Sequence, residues 1–255
     1  MLEAKGVDVN VAGRVLVRGL DLSVAPGECW ALLGPNGAGK TLLLHTLAGV
    51  RAPSGGDVAL DGESLRSWRR RSVARRIALL LQEESPDYWG SLAEYVALGR
   101  LPHRGSVRDP AVEEAIAGLR LTELAGRPFR TLSGGERQRA RLAQTLAQQT
   151  GILLWDEPLN HLDLRHQDEV MRLTRALCAE RKSVVLTVHE PAWAAAYCTH
   201  ALLLYESGRT AAGPARSVIT DRAISELYSL EQPIPALSGR GIQGSDTPTR
   251  LPTPR

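Results

Sequence analysis

The segment Leu33-Gly34-Pro35-Asn36-Gly37-Ala38-Gly39-Lys40-Thr41 constrains this chain more than any other. An apolar run, Cys29 to Leu33, precedes it and is long enough for a buried strand. Thr41 to Ala48 follows with helix-forming residues, and Gly49 can stop that helix. Strand, glycine loop and helix in this order are the setting that the P-loop pattern G-x-x-x-x-G-K-T requires. Gly34, Gly37 and Gly39 let the backbone turn tightly, so that successive N–H groups point inward and the positive end of the next helix adds to their field. Phosphate fits such a nest. Lys40 would reach the β- and γ-phosphates of a nucleotide as a point charge, and the Thr41 hydroxyl would hold a Mg²⁺ bridging them. The bland alternative is a glycine-rich turn that matches by chance, and the complete pattern in its full context argues against it.

A chain of 255 residues accommodates one large α/β domain with room for a smaller subdomain. Its net charge of +3 gives no electrostatic footprint for nucleic acid. Lys5, Lys40 and Lys182 are the only lysines among 31 basic residues, which we attribute to codon bias and not to a role for the surface arginines. Cys29, Cys178 and Cys198 are odd in number and lack C-x-x-C spacing, which speaks against a disulfide framework and a zinc site and fits a reducing compartment. No signal-peptide order is evident at the start, and no run of about 18 apolar residues could span a bilayer.

Along the chain, Gly6 to Val11 and Leu20 to Val24 alternate as half-exposed strands, and Asp57 to Gly62 does so again before a D-G turn, which together predict an antiparallel sheet beside the nucleotide core. Ile77 to Leu81 is an apolar strand. From Glu83 the character becomes helical, with Ser91 to Leu98, Ala111 to Leu119 and Thr122 to Ala125 forming a helical insertion over about 83–135. A long helix follows Leu132-Ser133-Gly134-Gly135-Glu136, with Ala140, Ala143, Leu146 and Ala147 on one face. Ile152 to Trp155, Val184 to Val188 and Ala201 to Tyr205 read as strands, His166 to Arg181 as a helix, Tyr205 to Thr210 as a hairpin and Ala223 to Leu230 as a last helix. The expectation is one α/β domain over 1–232 and a Pro-rich, disordered tail over 233–255.

Four apolar runs end in polar residues suited to phosphate or water chemistry: Leu33 before the loop, Leu81 before Gln82, Trp155 before Asp156 and Glu157, and Val188 before His189. In a parallel sheet the carboxyl ends of the strands share one edge, where ligands bind, so one site would collect all four. Asp156 is placed to hold Mg²⁺, directly or through water, and Glu157 to act as general base. Gln82 offers an amide oxygen to the same ion, or is a polar loop residue. His189 is positioned to contact the γ-phosphate, or is a satisfied structural histidine. Ser133 to Glu136 forms either a second anion site or a capping box, and the two readings are compatible.

Together these residues resemble the ATPase subunits of ABC (ATP-binding cassette) proteins over nearly all of 1–232. Gly34 to Thr41 is similar to Walker A, Gln82 to the Q-loop, Leu132 to Arg139 (LSGGERQR) to the signature, Ile152 to Glu157 to Walker B, Leu159 to Asp163 to the D-loop and His189 to the switch histidine. The resemblance implies a P-loop NTPase core with a mostly parallel sheet, a flanking antiparallel β-subdomain and a helical subdomain. It further implies ATP and Mg²⁺ held by Gly34, Pro35, Asn36, Gly37, Ala38, Gly39, Lys40, Thr41 and Leu42, with Thr41, Gln82 and Asp156 at the metal and Glu157, His189 and Gln82 catalytic. Hydrolysis would occur in a head-to-tail homodimer, where Ser133, Gly134 and Gly135 of one subunit close on the ATP of the other and Asp163 contributes from the D-loop. Integral-membrane permease subunits, a periplasmic or extracellular substrate-binding protein, and a place on the cytoplasmic face of the inner membrane are implied as well.

A narrower resemblance lies in Val96-Ala97-Leu98-Gly99-Arg100-Leu101-Pro102, similar to a segment of importers of iron-siderophores, haem and cobalamin. Two departures stand out. Asn10 to Gly13 lacks the aromatic residue that stacks on adenine in the family, and Asn160-His161 replaces a small pair in the D-loop. The competing readings are a soluble ABC ATPase acting on nucleic acid or the ribosome, a nucleotide-binding regulatory module without turnover, and a small-molecule kinase. The single cassette, the combination of Gln82, Glu157 and His189, and the signature stand against these in turn.

Overall fold

Residues 1–82 and 88–230 are described by a computed structural model. In chain order the elements are β1 (Leu2–Val11), β2 (Arg14–Val24), β3 (Cys29–Leu33), α1 (Lys40–Leu47), β4 (Gly55–Leu60), β5 (Glu63–Ser64), α2 (Arg70–Val73), β6 (Ile77–Leu80), α3 (Leu92–Ala97), α4 (Pro110–Gly118), α5 (Gly134–Ala147), β7 (Ile152–Trp155), α6 (Leu164–Ala179), β8 (Ser183–Thr187), α7 (Pro191–Tyr197), β9 (His200–Leu204), β10 (Thr210–Pro214), α8 (Ala215–Val218) and α9 (Asp221–Leu227). The expected tail over 233–255 lies outside the described residues.

One sheet runs β10-β9-β3-β8-β7-β6, with every pair from β9 to β6 parallel and β10 added antiparallel as a hairpin on β9. β3, β7 and β8 are buried at every position, as continuous apolar runs of a sheet covered on both faces should be. Their side chains divide by the two-residue period of a strand. Ala31, Leu33, Leu153 and Trp155 enter the core shared with the helices α5 and α6, while Trp30, Leu32, Ile152 and Leu154 enter a second core shared with α1 and β1. Trp155 is fully buried and donates its indole N–H to Thr145 Oγ1 at 3.0 Å, so its large apolar surface is interred without an orphaned donor.

The second sheet, β2-β1-β4-β5, is antiparallel. The β1–β2 hairpin is longer than alternation predicts because its register shifts between Ala4 and Asn10, which breaks the period-two pattern. Carboxylates satisfy amides at these irregularities: Gly6 N–H donates to Asp21 Oδ1 at 2.8 Å and Gly19 N–H to Asp8 Oδ1 at 2.7 Å. At the D-G turn Asp61 and Gly62 both have positive φ, 53° and 84°, the geometry a tight hairpin needs. The segment Thr122–Leu124 is a 3-10 turn and not an α-helix, and α7, with Pro191 at its first turn and four alanines behind it, is a helix between β8 and β9 that the strand and hairpin readings above do not include.

Val96 to Pro102 is an internal brace. An ideal Cβ on Gly99 would lie 2.2 Å from Gln144 O, so only glycine allows this backbone to approach α5. Arg100 Nη1 donates to Ala147 O at 2.9 Å at the end of α5, and its Nε pairs with Asp109 Oδ2, the α4 N-cap, at 2.8 Å. The Arg100 bond is the first cause that holds the Asp109 carboxyl below the usual range. Pro102 O accepts from Arg71 and Arg75 at 3.0 and 2.9 Å. Because Arg100 is nearly buried, Arg100→Ala is expected to lower unfolding free energy by about 2–3 kcal/mol. Denaturant titration checks this, and a loss under about 0.5 kcal/mol would contradict the bracing role.

Candidate active site

The loop from Gly34 to Gly39 links β3 to α1. Gly34 is obligatory there, because an ideal Cβ would stand 2.6 Å from Leu204 O on β9. Lys40, the first residue of α1, is 7% exposed, and its Nζ donates to Gly34 O at 2.6 Å and Pro35 O at 3.1 Å. Burial lowers its pKa, while the charges of Glu157 and Asp156 oppose that shift. An open cleft of about 450 Å³ is lined by Asn36, Gly37, Gly39, Lys40, Thr41 and Leu42 from this loop, by Gln82, Glu157 and His189 from the neighbouring strand ends, and by Leu16. The parallel sheet thus brings together the ends of β3, β6, β7 and β8.

Glu157 is the hub of the cleft. Gln82 Nε2 donates to its Oε1 at 2.9 Å, and His189 Nε2 lies 3.1 Å from the same oxygen. Asn160 Nδ2 donates to Oε2. The substitution in the D-loop therefore places a working donor on the carboxylate. Glu157 itself has φ 50°, a left-handed conformation costly for a non-glycine residue and held here by a Glu157 N–H bond to Thr187 Oγ1 at 2.5 Å. On the far side of Glu157, Gln138 of α5 donates from Nε2 to Glu157 O at 3.0 Å and to Pro158 O at 3.1 Å. Arg141, one turn on, bonds Gln138 Oε1 at 3.0 Å and the carbonyls of Leu81 and Gln82. The helix that begins at the signature is thus wired to both the Q-loop and the Walker B turn, through Gln138 within the signature run and Arg141 just beyond it.

The oxygen donors for a hard cation are present. Asp156 is 1% exposed; its Oδ1 accepts from Thr187 Oγ1 at 2.9 Å, and its buried Oδ2 has no hydrogen-bond partner. Thr41 Oγ1 and Gln82 Oε1 face each other at 3.5 Å. A hydroxyl, an amide oxygen and one carboxylate, with phosphate oxygens to complete the shell, match the preference of Mg²⁺. Among the described residues no group of three or more His, Cys, Asp or Glu side chains is arranged to hold a metal ion.

Ser133, Gly134, Gly135 and Asp163 do not line the cleft. Ser133 caps α5 in a capping box: its Oγ accepts from Glu136 N–H at 3.3 Å, and Ser133 N–H donates to Glu136 Oε2 at 2.7 Å. That backbone bond is the first cause that lowers the Glu136 pKa. Gly134 and Gly135 lie against His161 of the D-loop. Asp163 caps α6, accepting from His166 N–H at 2.9 Å. Asn10 to Gly13 forms the tip of the β1–β2 hairpin, and the apolar side chain that reaches the cleft from this sheet is Leu16, which the sequence pattern gave no reason to select.

The profile of the ABC transporter family matches residues 17–160, more than half of the chain. The chain belongs to the ABC transporter family. A hemin import ATP-binding protein, HmuV, of Streptomyces coelicolor is 42% identical over 236 residues, covering 91% of this chain and 83% of that protein. The HmuV of Nocardia farcinica is 42% identical over 237 residues, 89% of this chain and 82% of that protein. Among solved structures, an inward-facing conformation of an ABC transporter described as metal-chelate type superposes with TM-score 0.77 at 27% identity, covering 89% of this chain and 88% of that one. The chain is an ATP-hydrolysing subunit of this family, with the P-loop core and largely parallel sheet that its motifs led us to expect.

Proposed function

We propose that this subunit powers the import of a metal chelate, hemin foremost, by hydrolysing ATP between two copies of itself. The observation that carries the catalytic part is the Glu157 carboxylate, held by Gln82, His189 and Asn160 at the mouth of the P-loop cleft. In that position it accepts a proton from water as the water attacks the γ-phosphate, with His189 beside it. Lys40 and the loop N–H groups stabilise the phosphate charge. Thr41, Gln82 and Asp156 would hold Mg²⁺, which when bound neutralises charge on the β- and γ-phosphates. Leu16 supplies an apolar surface for the base in place of an aromatic ring.

The homodimer is supported by the placement of Ser133, Gly134, Gly135 and Asp163 outside their own cleft, and by Leu164, 72% exposed beside Asp163. The described part of the insertion, 88–135, is proposed as the surface that meets the permease, residues 83–87 of the expected span lying outside the described residues. It exposes Trp89 at 76% and Leu101 at 65%, with the Arg130 guanidinium 4.4 Å from the Trp89 ring centre. Among the described residues no helix is long and apolar enough to cross a membrane. A place on the cytoplasmic face, held through the permease and fed by a substrate-binding protein, is proposed with it, supported by the relatives being named import ATP-binding proteins. Hemin is proposed because the two relatives quoted above are named for it.

The test is reconstitution with its permease subunits in vesicles, with the binding protein added. ATP turnover is expected to rise several-fold with hemin-loaded binding protein and to require the permease. Equal turnover with and without hemin, or stimulation by a ferric siderophore alone, would overturn the cargo assignment.

A further inference from the structure

The arginines of this chain are unevenly placed. Between Ser64 and Glu83 stand Arg66, Arg69, Arg70, Arg71, Arg75 and Arg76, with no carboxylate among them. A second run, 95–108, holds Arg100, His103, Arg104 and Arg108 and again no carboxylate. The fold pins the two runs together, because Pro102 O accepts from Arg71 Nε at 3.0 Å and from Arg75 Nε at 2.9 Å. Codon bias explains arginine in place of lysine throughout the chain. It does not explain why two basic runs are drawn to one junction.

Most of this charge is left unanswered within the chain. Arg66 and Arg76 pair with Asp57 and Asp61, and Arg100 is the buried brace already described. Arg71 and Arg75 are bonded to a neutral carbonyl and keep their full charge. Arg69, Arg70, Arg104 and Arg108 are exposed, and among the described residues their side chains make no hydrogen bond or ion pair. Like charges held this close repel one another unless an outside anion offsets them. A charged run is ordinarily just a solvated face, but here two exposed apolar side chains, Leu101 at 65% and Val107 at 41%, stand among the arginines. Basic groups around exposed apolar ones make an interfacial surface.

We propose that this patch lies against the anionic phosphodiester headgroups of the membrane leaflet in which the permease sits. The proposal rests on the reading of this chain as a subunit held at the cytoplasmic face. Leu101 belongs to the surface assigned above to the permease, so the patch continues that surface at its border. The cytoplasmic leaflet carries a negative surface potential that attracts basic segments within about a Debye length. Unpaired guanidinium groups on long stems, drawn from two segments, suit a fluid anionic layer, which asks for charge and not for one fixed geometry. Their attraction adds to the grip of the permease, since a subunit already held at the bilayer binds it again at high effective concentration.

The test uses the full-length protein and extruded vesicles, of phosphatidylcholine alone or with about a third phosphatidylglycerol, in a flotation assay. Binding is expected to the phosphatidylglycerol vesicles only, and to vanish as salt rises from about 0.05 M to about 0.5 M. Replacing Arg69, Arg70 and Arg104 together by glutamine should weaken binding about 100-fold, at about fivefold per arginine. The same change at Arg181, Arg216 and Arg222, exposed arginines outside the patch, should stay within about threefold of the wild type. In the wild-type protein, hydrogen exchange on the vesicles should slow at 66–76 and 101–108 and not at 209–222, a readout that needs no variant to fold. Equal binding to both vesicles, equal loss in the two triple variants, or protection confined to other segments would overturn the proposal. So would a patch variant that keeps vesicle binding but no longer co-purifies with the permease, because the patch would then answer an acidic protein surface. Permease, hemin and ATP are absent from the flotation assay, so failure of the import reading in reconstitution is a separate result.

Discussion

Glu157→Gln is expected to lower steady-state ATP turnover by about 10²–10⁴-fold while leaving ATP affinity within about twofold. The reason is local. Glutamine keeps the shape of the side chain but cannot accept the proton of attacking water. It retains an amide oxygen for Gln82 or Asn160, so the cleft stays assembled. Lys40 and the loop amides are untouched, and so is binding. With hydrolysis blocked and ATP still bound, the two-copy state should accumulate, and size-exclusion chromatography with ATP should show it. Turnover within about tenfold of the wild type would remove Glu157 from the role of general base.

The second large effect is expected at Lys40. Its ammonium group lies inside the loop on the carbonyls of Gly34 and Pro35, and it is the cation buried against the β3–α1 turn. Hydrogen bonds to charged groups contribute about 1.5–3 kcal/mol each. Losing contacts to two phosphates should therefore weaken ATP by about 100-fold or more in Lys40→Ala. Equilibrium binding of a fluorescent ATP analogue measures it. The two variants separate the functions: Lys40→Ala should fail to bind, and Glu157→Gln should bind and fail to turn over.

Much of this was legible in the sequence because short segments carried their own physical context. Each of β3, β6, β7 and β8 is an apolar run ending in a functional residue, and parallel pairing alone then gathers Gln82, Glu157 and His189 around the loop. The capping residue Ser133 acts within three positions of itself, so it too was visible as local pattern, whereas the caps at Ser91 and Asp163 emerge from the structure. What remained hidden depends on distant chain. Gln138 and Arg141 face the site only because α5 packs beside β6 and β7, and no spacing rule encodes a bond from Arg141 to the carbonyl of Leu81. The irregularity at Lys5 and Gly6 splits the alternation of β1, so Leu2 to Lys5 do not read as one strand with Gly6 to Val11. Asn160 looked like a tolerated departure in the D-loop, and only its position next to Glu157 reveals a donor.

The segment from Val96 to Pro102 teaches a different lesson. It suggested a metal-chelate importer by resemblance, yet its Gly99 and Arg100 serve to clamp α5 and α4. A packing device can be shared among related subunits without touching any cargo. That is why the choice of cargo rests on the relatives and on reconstitution, and not on this segment.

The central claim is that each site takes its loop from one copy and its signature from another. Mixing two inactive variants tests it most directly. Lys40→Ala loses the loop but keeps Ser133, and Ser133→Arg keeps the loop but blocks the signature face. If sites form between copies, the mixed dimer contains one intact site, and an equimolar, freely exchanging mixture should recover about a quarter of the wild-type ATP turnover. Turnover of the mixture no greater than the mean of the two variants alone, with Ser133→Arg active by itself, would contradict the account.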